Sequence, residues 1–202
     1  MTRQELKARA KAQLGNNIFG HNWLIALVVI LIFGAITGVL STIPGVGAVA
    51  SILVTGPITY GVLRLFLKQA RDGEEMNIGD MFCGFPDCFA DSFLIGLLTS
   101  IFVALWSLLF VIPGIVKSYS YAMAYYIKVD NPELTANQCL KASMALMEGH
   151  KMDLFILDLS FIGWYIVGSL CLGVGTLWVA PYHQATHAQF YNSIKAPAVT
   201  VE

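Results

Sequence analysis

The stretch STIPGVGAV, residues 41–49, interrupts a segment that carries no Asp, Glu, Lys or Arg from Ala12 to Leu63. A helix needs about 20 mostly apolar residues to cross the hydrocarbon core of a bilayer, so the segment has room for two such helices. Pro44 and Gly45 form a dipeptide typical of turns, which places the reversal of the chain between the two apolar runs. The sequence therefore predicts a helical hairpin in a membrane.

The composition of the whole chain favours a membrane protein. Of its 202 residues, 56% are hydrophobic and 12% are charged, and the mean hydropathy is +0.67. Soluble domains carry about 25% charged residues, roughly twice this share. The net charge of −1 and the lack of a basic stripe argue against a nucleic-acid partner. We expect one all-α membrane domain over residues 1–202, with no sizeable domain outside the bilayer.

Two more turn signals divide the rest of the chain in the same way. Pro113 and Gly114 follow one uncharged run, and Gly173 lies in a glycine-rich turn after another. The fourth span is the weakest prediction, because Lys117 and Lys128 bracket only ten uncharged residues. The expected fold is a polytopic transmembrane helical bundle of six spans, paired as three hairpins over 22–68, 80–129 and 152–194. The six predicted spans are 22–43, 47–68, 92–112, 115–129, 152–172 and 175–193.

The basic residues predict how these spans are oriented. Lys and Arg precede span one, follow spans two and six, and flank the link between spans four and five. The three tight turns carry no basic residue except Lys117. Positive residues favour the cytoplasmic side, so both termini are expected inside and the three turns outside. No cleavage site follows the first apolar run, so that span is expected to remain as an anchor.

Two short amphipathic helices are predicted outside the spans. Thr2 with Glu5, and Thr135 with Gln138, have the spacing of capping boxes, in which two side chains satisfy free backbone N–H groups at a helix start. The helices that they open are predicted over residues 1–15 and 135–149.

Both helices are expected to lie on the inner leaflet. In the first, Leu6, Ala10 and Leu14 would enter the acyl boundary while the lysines and arginines face anionic headgroups. The link before the second hairpin carries four phenylalanines on one helical face, Phe82, Phe85, Phe89 and Phe93. The order is consistent with a weak threefold repeat of interfacial segment and hairpin, although apolar connectors also look alike by chance.

Several motifs carry a resemblance to a known family. They are GPITYG (56–61), MFCGF (81–85), IPGIV (112–116), VDNPELT (129–135), LFILDLSFIGW (154–164) and GVGTLWVAPYHQATHAQFY (173–191). Together they resemble a bacterial family of multi-pass membrane proteins catalogued as domain of unknown function 975. The resemblance implies a polytopic helical protein of the bacterial plasma membrane. It brings no catalytic residues to carry over.

The sequence offers few groups that could perform chemistry. It holds no nucleophile elbow, phosphate loop or zinc-protease motif, so we expect a protein that is not an enzyme and has no cofactor. Cys83 and Cys88 lack the second pair that a zinc site of this type requires. His183 and His187 stand four residues apart, a spacing that suits a metal, but histidines near an interface more often donate to a carbonyl or carboxylate. We therefore predict no metal site.

One polar layer is predicted inside the bundle. Counted from the outer turns at about 1.5 Å per residue, Tyr60, Lys128, Asp158 and His187 all lie roughly 20–22 Å below the outer surface. A charged Asp158 facing lipid would be costly, so we expect it to pair with His187, or with Lys128 as second choice. With His183, these side chains would line a pocket open to the cytoplasm. The alternative is an unpaired Asp158 that turns toward the headgroups.

Three further features bear on this pocket. Pro57 and Pro181 are predicted to kink their helices, either as packing features or as part of a broken-helix site. Gly34 and Gly38 have the small-residue spacing of close helix contacts. The predicted fourth span holds more tyrosines than an aromatic belt needs, which favours a headgroup site or a polar cavity wall; they are Tyr119, Tyr121, Tyr125 and Tyr126.

Two functions compete on this evidence. The preferred hypothesis is a non-enzymatic scaffold or accessory protein whose partners are membrane lipids, with other membrane proteins or a second copy of the chain as further partners. The alternative is a small transporter or ion pathway, supported by the polar residues and prolines inside the spans. A membrane enzyme has almost no residues to support it.

Overall fold

The structure, a computed structural model, describes residues 2–15, 20–43, 46–73, 75–170 and 174–195. These residues form α-helices and one short 3-10 helix, Ile78–Phe82, with no strand among them, which confirms the predicted all-α fold. The helices are α1 Arg3–Gln13, α2 His21–Ser41, α3 Val46–Asp72, α4 Gly84–Leu109, α5 Val111–Tyr121, α6 Ala124–Asp130, α7 Ala136–Leu146, α8 Lys151–Leu170 and α9 Val174–Lys195.

Four of the described helices are long and apolar enough to cross a bilayer. Their apolar segments are His21–Leu40, Ala50–Asp72, Gly84–Leu109 and Lys151–Leu170. The other two predicted spans correspond to α5 with α6, and to α9. Helix α9 has the length, 22 residues, but His183, Gln184 and His187 lower its hydropathy. The structure thus supports four candidate spans, where the sequence predicts six.

The predicted fourth span, 115–129, is wrong as a single helix. Helix α5 ends at Tyr121 and α6 begins at Ala124, so the chain breaks in the middle of the predicted span. At the break, Ser143 of α7 accepts from the N–H of Met123 at 3.2 Å and donates to the carbonyl of Ser120 at 2.8 Å. A neighbouring side chain thereby replaces the helical partners that these backbone groups lose.

The turn between α4 and α5 also differs from the prediction. The chain reverses at Phe110, which is extended (φ −157°, ψ 141°), rather than at Pro113 and Gly114. Pro113 lies in the first turn of α5, where backbone N–H groups have no partner within the helix. The N–H that proline lacks therefore costs no helical hydrogen bond. Gly114 lies against Ser107 of α4, so that a Cβ there would collide with it. The predicted turns at Pro44–Gly45 and at Gly173 lie outside the described residues.

The two capping boxes are present, but α1 does not expose its apolar face. Thr2 accepts from the N–H of Glu5 at 3.3 Å, and the N–H of Thr135 donates to Gln138 at 2.8 Å. The first apolar face is buried against the protein, chiefly against α9, with Leu6, Ala10 and Leu14 at most 3% exposed. The expectation that these residues enter lipid is therefore wrong, because the bundle itself covers them.

The small-residue contacts differ from the expected pair. A Cβ at Gly34 or Gly38 would meet no atom within 4 Å, so neither glycine forms a close helix contact among the described residues. The close approach between α8 and α9 instead lies at Gly168 and Gly175, where a Cβ on Gly168 would come within 2.7 Å of the Thr176 nitrogen. This contact draws the two helices together along the side that carries the polar cluster described below.

Helix α3 packs closely on the segment that opens the second hairpin. A Cβ on Gly61 would collide with the carbonyl of Met81, and one on Gly84 with the carbonyl of Pro57. Both α3 and α9 continue through their prolines, Pro57 and Pro181. On α4, the rings of Phe85, Phe89 and Phe93 stack at centroid distances of 6.0 and 6.4 Å, so these three share the predicted helical face.

Candidate functional site

Asp158 of α8 is the centre of a polar cluster inside the bundle. Its Oδ1 lies 2.6 Å from Nε2 of His187 and 2.9 Å from Nε2 of His183, both on α9. Its Oδ2 accepts from the hydroxyl of Tyr119 on α5 at 3.0 Å. The carboxylate therefore has hydrogen-bond partners on both oxygens, and each of the three helices contributes to the cluster.

The local sequence explains why the two histidines meet one carboxylate. His183 and His187 are four residues apart, so both imidazoles project from the same face of α9. Helices α8 and α9 are antiparallel neighbours held close at Gly168 and Gly175. With that contact fixed, Asp158 comes level with the pair. The side chains of Asp158, His183 and His187 are 20–25% exposed, so the cluster is shielded but reachable.

A second ring of residues orients His183. The hydroxyl of Tyr165 lies 3.2 Å from its Nδ1, and the ring of Phe161 packs against the imidazole with centroids 4.6 Å apart. Lys7 of α1 also lies over the ring of Phe161, with Nζ 4.3 Å from the ring centroid. Because Nδ1 and Nε2 each have a fixed partner, rotation of the His183 ring would break two contacts.

A cavity of about 440 Å³ adjoins the cluster. Both histidines lie on its wall, opposite Ala122 at the break between α5 and α6. Tyr126 also lines the cavity, but its hydroxyl is buried away from solvent and has no hydrogen-bond partner among the described residues. Other polar residues on the wall are Thr59, Tyr125, Tyr165 and Gln184, and the remainder is mainly aliphatic. The cavity thus combines a polar side with an apolar one.

The structure brings together only part of the predicted polar layer. Asp158 and His187 lie in contact, with His183 beside them, as the sequence analysis expects. Lys128 does not pair with Asp158; its Nζ lies 2.6 Å from Asp91 and also donates to two backbone carbonyls. Tyr60 is buried on α3 beside Cys88. Equal depth fixes one coordinate, and the rotation of each helix decides which side chains meet.

Some partners in the structure had no clear signal in the sequence. Tyr119 belongs to the tyrosine-rich segment that predicts a polar wall, but Tyr165 follows a tryptophan in an apolar run and gives no pattern. Asp130 was also missed. It is 5% exposed and binds the side chains of Arg71, Tyr191 and Lys195, which joins the ends of α3, α6 and α9.

A second cavity, of about 420 Å³, lies between α1, α2, α8 and α9. Its wall carries Lys11 and three tryptophans, Trp23, Trp164 and Trp178. The indole N–H of Trp23 is buried away from solvent and has no hydrogen-bond partner within the described part of the chain. The groove itself offers one cation in mainly aromatic and aliphatic surroundings.

Comparison with known proteins identifies the family. The chain matches the family model described as Protein of unknown function (DUF975) over residues 1–117 and 108–198. The two matches together span nearly the whole chain, so the protein belongs to this family, as its motifs predict. No curated protein and no solved structure matches the chain.

Proposed function

We propose that this member of the DUF975 family is an integral membrane protein that binds a small polar solute or ion in the cavity beside Asp158, and forms part of a solute or ion pathway. The observation that carries the proposal is one shared cavity. The break between α5 and α6 and the histidine pair of α9 both open onto it. Transport sites in membranes are commonly built where helices are interrupted.

The proposed membrane location is supported by the large apolar side chains that the helices expose. Large apolar residues project outward along α2, α4 and α8, such as Leu31, Leu105 and Ile162, which are 42–58% exposed. The tip between α4 and α5 is more exposed still, with Leu108 at 87% and Ile112 at 75%. Apolar surfaces of this extent are unusual on soluble monomers, and lipid would cover them.

The proposed topology keeps six crossings with both termini in the cytoplasm of a bacterial cell. In this arrangement α5 with α6 forms an interrupted fourth crossing, and α9 forms the sixth. The basic residues at the ends of the hairpins support the orientation. The polar residues of α9 face the bundle at His183 and His187, which makes its low hydropathy compatible with a crossing.

The cavity has the size and chemistry of a ligand site. Its volume of about 440 Å³ lies in the range of small-molecule sites, roughly 300–1,000 Å³. The imidazoles of His183 and His187 and the side chains of Thr59 and Gln184 supply polar groups on its wall. Charged and histidine side chains inside a bundle commonly mark ion and proton pathways. We propose binding and passage at this site, without chemical conversion.

Flux measurements test the proposal. The purified protein is reconstituted in vesicles that contain a pH-sensitive dye, and proton flux is recorded after a pH jump. We expect flux above that of protein-free vesicles, reduced at least tenfold in Asp158→Asn. His150→Gln is the matched control, because His150 also pairs with a carboxylate, Asp153 at 3.4 Å, but lies exposed at the start of α8. Equal flux with and without protein would contradict a proton pathway.

Lipid binding is a second candidate, and the tryptophan-lined groove favours it. Lys11 would bind an anionic headgroup, and the aromatic walls would cover an acyl chain. Native mass spectrometry of the protein in detergent would show a co-purified anionic phospholipid. Lys11→Glu should lose this lipid, whereas Lys141→Glu, which changes an exposed lysine on α7, should retain it.

A further inference from the structure

We infer that Asp158, His183 and His187 form a binding site for one divalent transition-metal ion of the zinc type. This inference deepens the proposed function, since it names the ion class that the cavity would hold. The sequence analysis predicts no metal here, because histidines near an interface more often donate to a carbonyl or carboxylate. The structure adds the third ligand from α8, with all three donor atoms within 4.8 Å of one another.

The donor set suits this class of ion. Two imidazole nitrogens and one carboxylate oxygen are the ligands of many zinc sites that keep a fourth position open. Calcium and magnesium prefer oxygen ligands alone, so the two histidines select against them. Two neutral imidazoles and one carboxylate carry a single negative charge, which a divalent cation would more than balance inside the bundle.

Metal binding would require the side chains to shift from their hydrogen-bonded positions. A tetrahedral ion with ligands at about 2.0–2.1 Å places neighbouring ligand atoms about 3.3 Å apart. The two nitrogens now lie 2.6 and 2.9 Å from Asp158 Oδ1, at hydrogen-bond distance. To admit the ion, these two oxygen–nitrogen distances would have to open by roughly 0.4–0.7 Å, while all three donor atoms already lie within 4.8 Å of one another.

Neighbouring tyrosines can hold the ligands in their metal-binding form. A metal on Nε2 of His183 leaves the ring proton on Nδ1, which lies 3.2 Å from the hydroxyl oxygen of Tyr165 and can donate to it. Tyr119 donates to Asp158 Oδ2, the oxygen that the histidines leave free. Such outer hydrogen bonds are typical of metal sites, where they fix the ligands in place.

The open coordination position would face the cavity. His183 and His187 lie on the wall of the 440 Å³ space, so water or a solute there could complete the coordination of the ion. Lys7 and His183 both contact the ring of Phe161, Lys7 through its Nζ at 4.3 Å from the ring centroid.

Metal titration of the full chain tests the inference. The protein is purified in detergent through a tag without histidine, stripped with a chelator, and titrated with Co²⁺ while visible absorption is recorded. We expect tetrahedral Co²⁺ bands that saturate at one ion per chain and are displaced by Zn²⁺. His183→Ala, His187→Ala and Asp158→Asn should each weaken binding at least tenfold. Tyr165→Phe should weaken it less, by several-fold.

The controls separate this inference from the proposed pathway. His150→Ala removes an exposed histidine just before α8 and should leave the titration unchanged. If His187→Ala fails to fold, judged by gel filtration, His187→Gln replaces it. A folded wild-type protein that binds no Co²⁺, or a His187 variant that binds as tightly as wild type, would overturn the metal site. Metal binding without proton flux would instead contradict a proton pathway and leave the metal site standing.

Discussion

The hydroxyl of Ser143 on α7 donates to the carbonyl oxygen of Ser120 on α5 across 2.8 Å, and accepts from the N–H of Met123 at 3.2 Å. Where a helix stops inside a protein, its buried backbone N–H and C=O groups are costly unless another protein group satisfies them. Ser143 is fully buried and fulfils this role from the neighbouring helix. The interruption between α5 and α6 is therefore stabilised by α7, and the cavity opens at the same point.

Removal of this hydroxyl should destabilise the protein. Ser143→Ala leaves a buried carbonyl and a buried N–H without partners, which costs about 1–3 kcal/mol. Thermal unfolding in detergent should show a lower midpoint than wild type. Ser118→Ala is the matched control, because Ser118 is an exposed serine of α5 that bonds only to the carbonyl of Ile115 in its own helix. Equal midpoints for the two variants would contradict a capping role for Ser143.

The interruption shows where sequence patterns reach their limit. The segment after Phe110 is apolar and continuous enough to predict one span. Only Lys117 and Lys128, which are charged, argue against that prediction. The break depends on a serine 20 residues further along the chain, whose hydroxyl replaces lost helical bonds. Such a contact depends on how α7 packs, and local propensity carries no information about it.

Close packing at Gly61 gives a second prediction. A Cβ there would collide with the backbone of Met81, which cannot move away as a flexible side chain could. Gly61→Ala should therefore separate α3 from the start of the second hairpin and lower stability by about 1–3 kcal/mol. Gly34→Ala in α2 is the control, because its Cβ would meet no atom within 4 Å. A Gly61→Ala midpoint at or above wild type would contradict this packing.

The candidate site was more predictable than the route of the chain around it. Asp158 is a carboxylate within an apolar run, and His183 and His187 share a helical face, so chemistry alone suggests that they meet. The expected link to Lys128 fails because Asp91 and two carbonyls already bind that lysine. The buried face of α1 was also unpredictable, since an amphipathic helix can pack on lipid or on protein equally well.

Thiol labelling tests the proposed topology. Phe110 lies at the exposed reversal between α4 and α5, so Phe110→Cys, in a chain whose native cysteines are changed to serine, should react with an impermeant reagent in intact cells. Glu133→Cys, in the exposed link before α7, should react only after permeabilisation. Reaction at position 133 from outside would reverse the orientation. Lack of reaction at position 110 in either state would place that tip within the bilayer.

The carboxylate of Asp130 should make stability depend on pH at the acid end. It receives two hydrogen bonds from Arg71, at 2.5 and 2.9 Å, and further ones from Tyr191 and Lys195. Burial by itself raises the pKa of Asp130, but the bonds from Arg71, Lys195 and Tyr191 outweigh it and hold the pKa below its ordinary value. The folded protein therefore favours the charged form more than the unfolded chain does.

The sign of the effect follows from this lowered pKa. The contribution of Asp130 is fully present above about pH 4, the ordinary pKa of an aspartate, and is lost as the pH falls through the lower folded-state value.

Asp130→Asn should lower the free energy of unfolding at pH 7 by about 2 kcal/mol, because it removes the charge that pairs with Arg71 and Lys195. The loss is limited to this size because both cations are more than a third exposed and recover part of their hydration. Its unfolding midpoint should fall less steeply than that of wild type below pH 4. Glu133→Gln, which neutralises an exposed carboxylate three residues away, should follow the wild-type curve. If the unfolding midpoints of wild type and Asp130→Asn in detergent fell equally steeply below pH 4, this carboxylate would not join the ends of α3, α6 and α9.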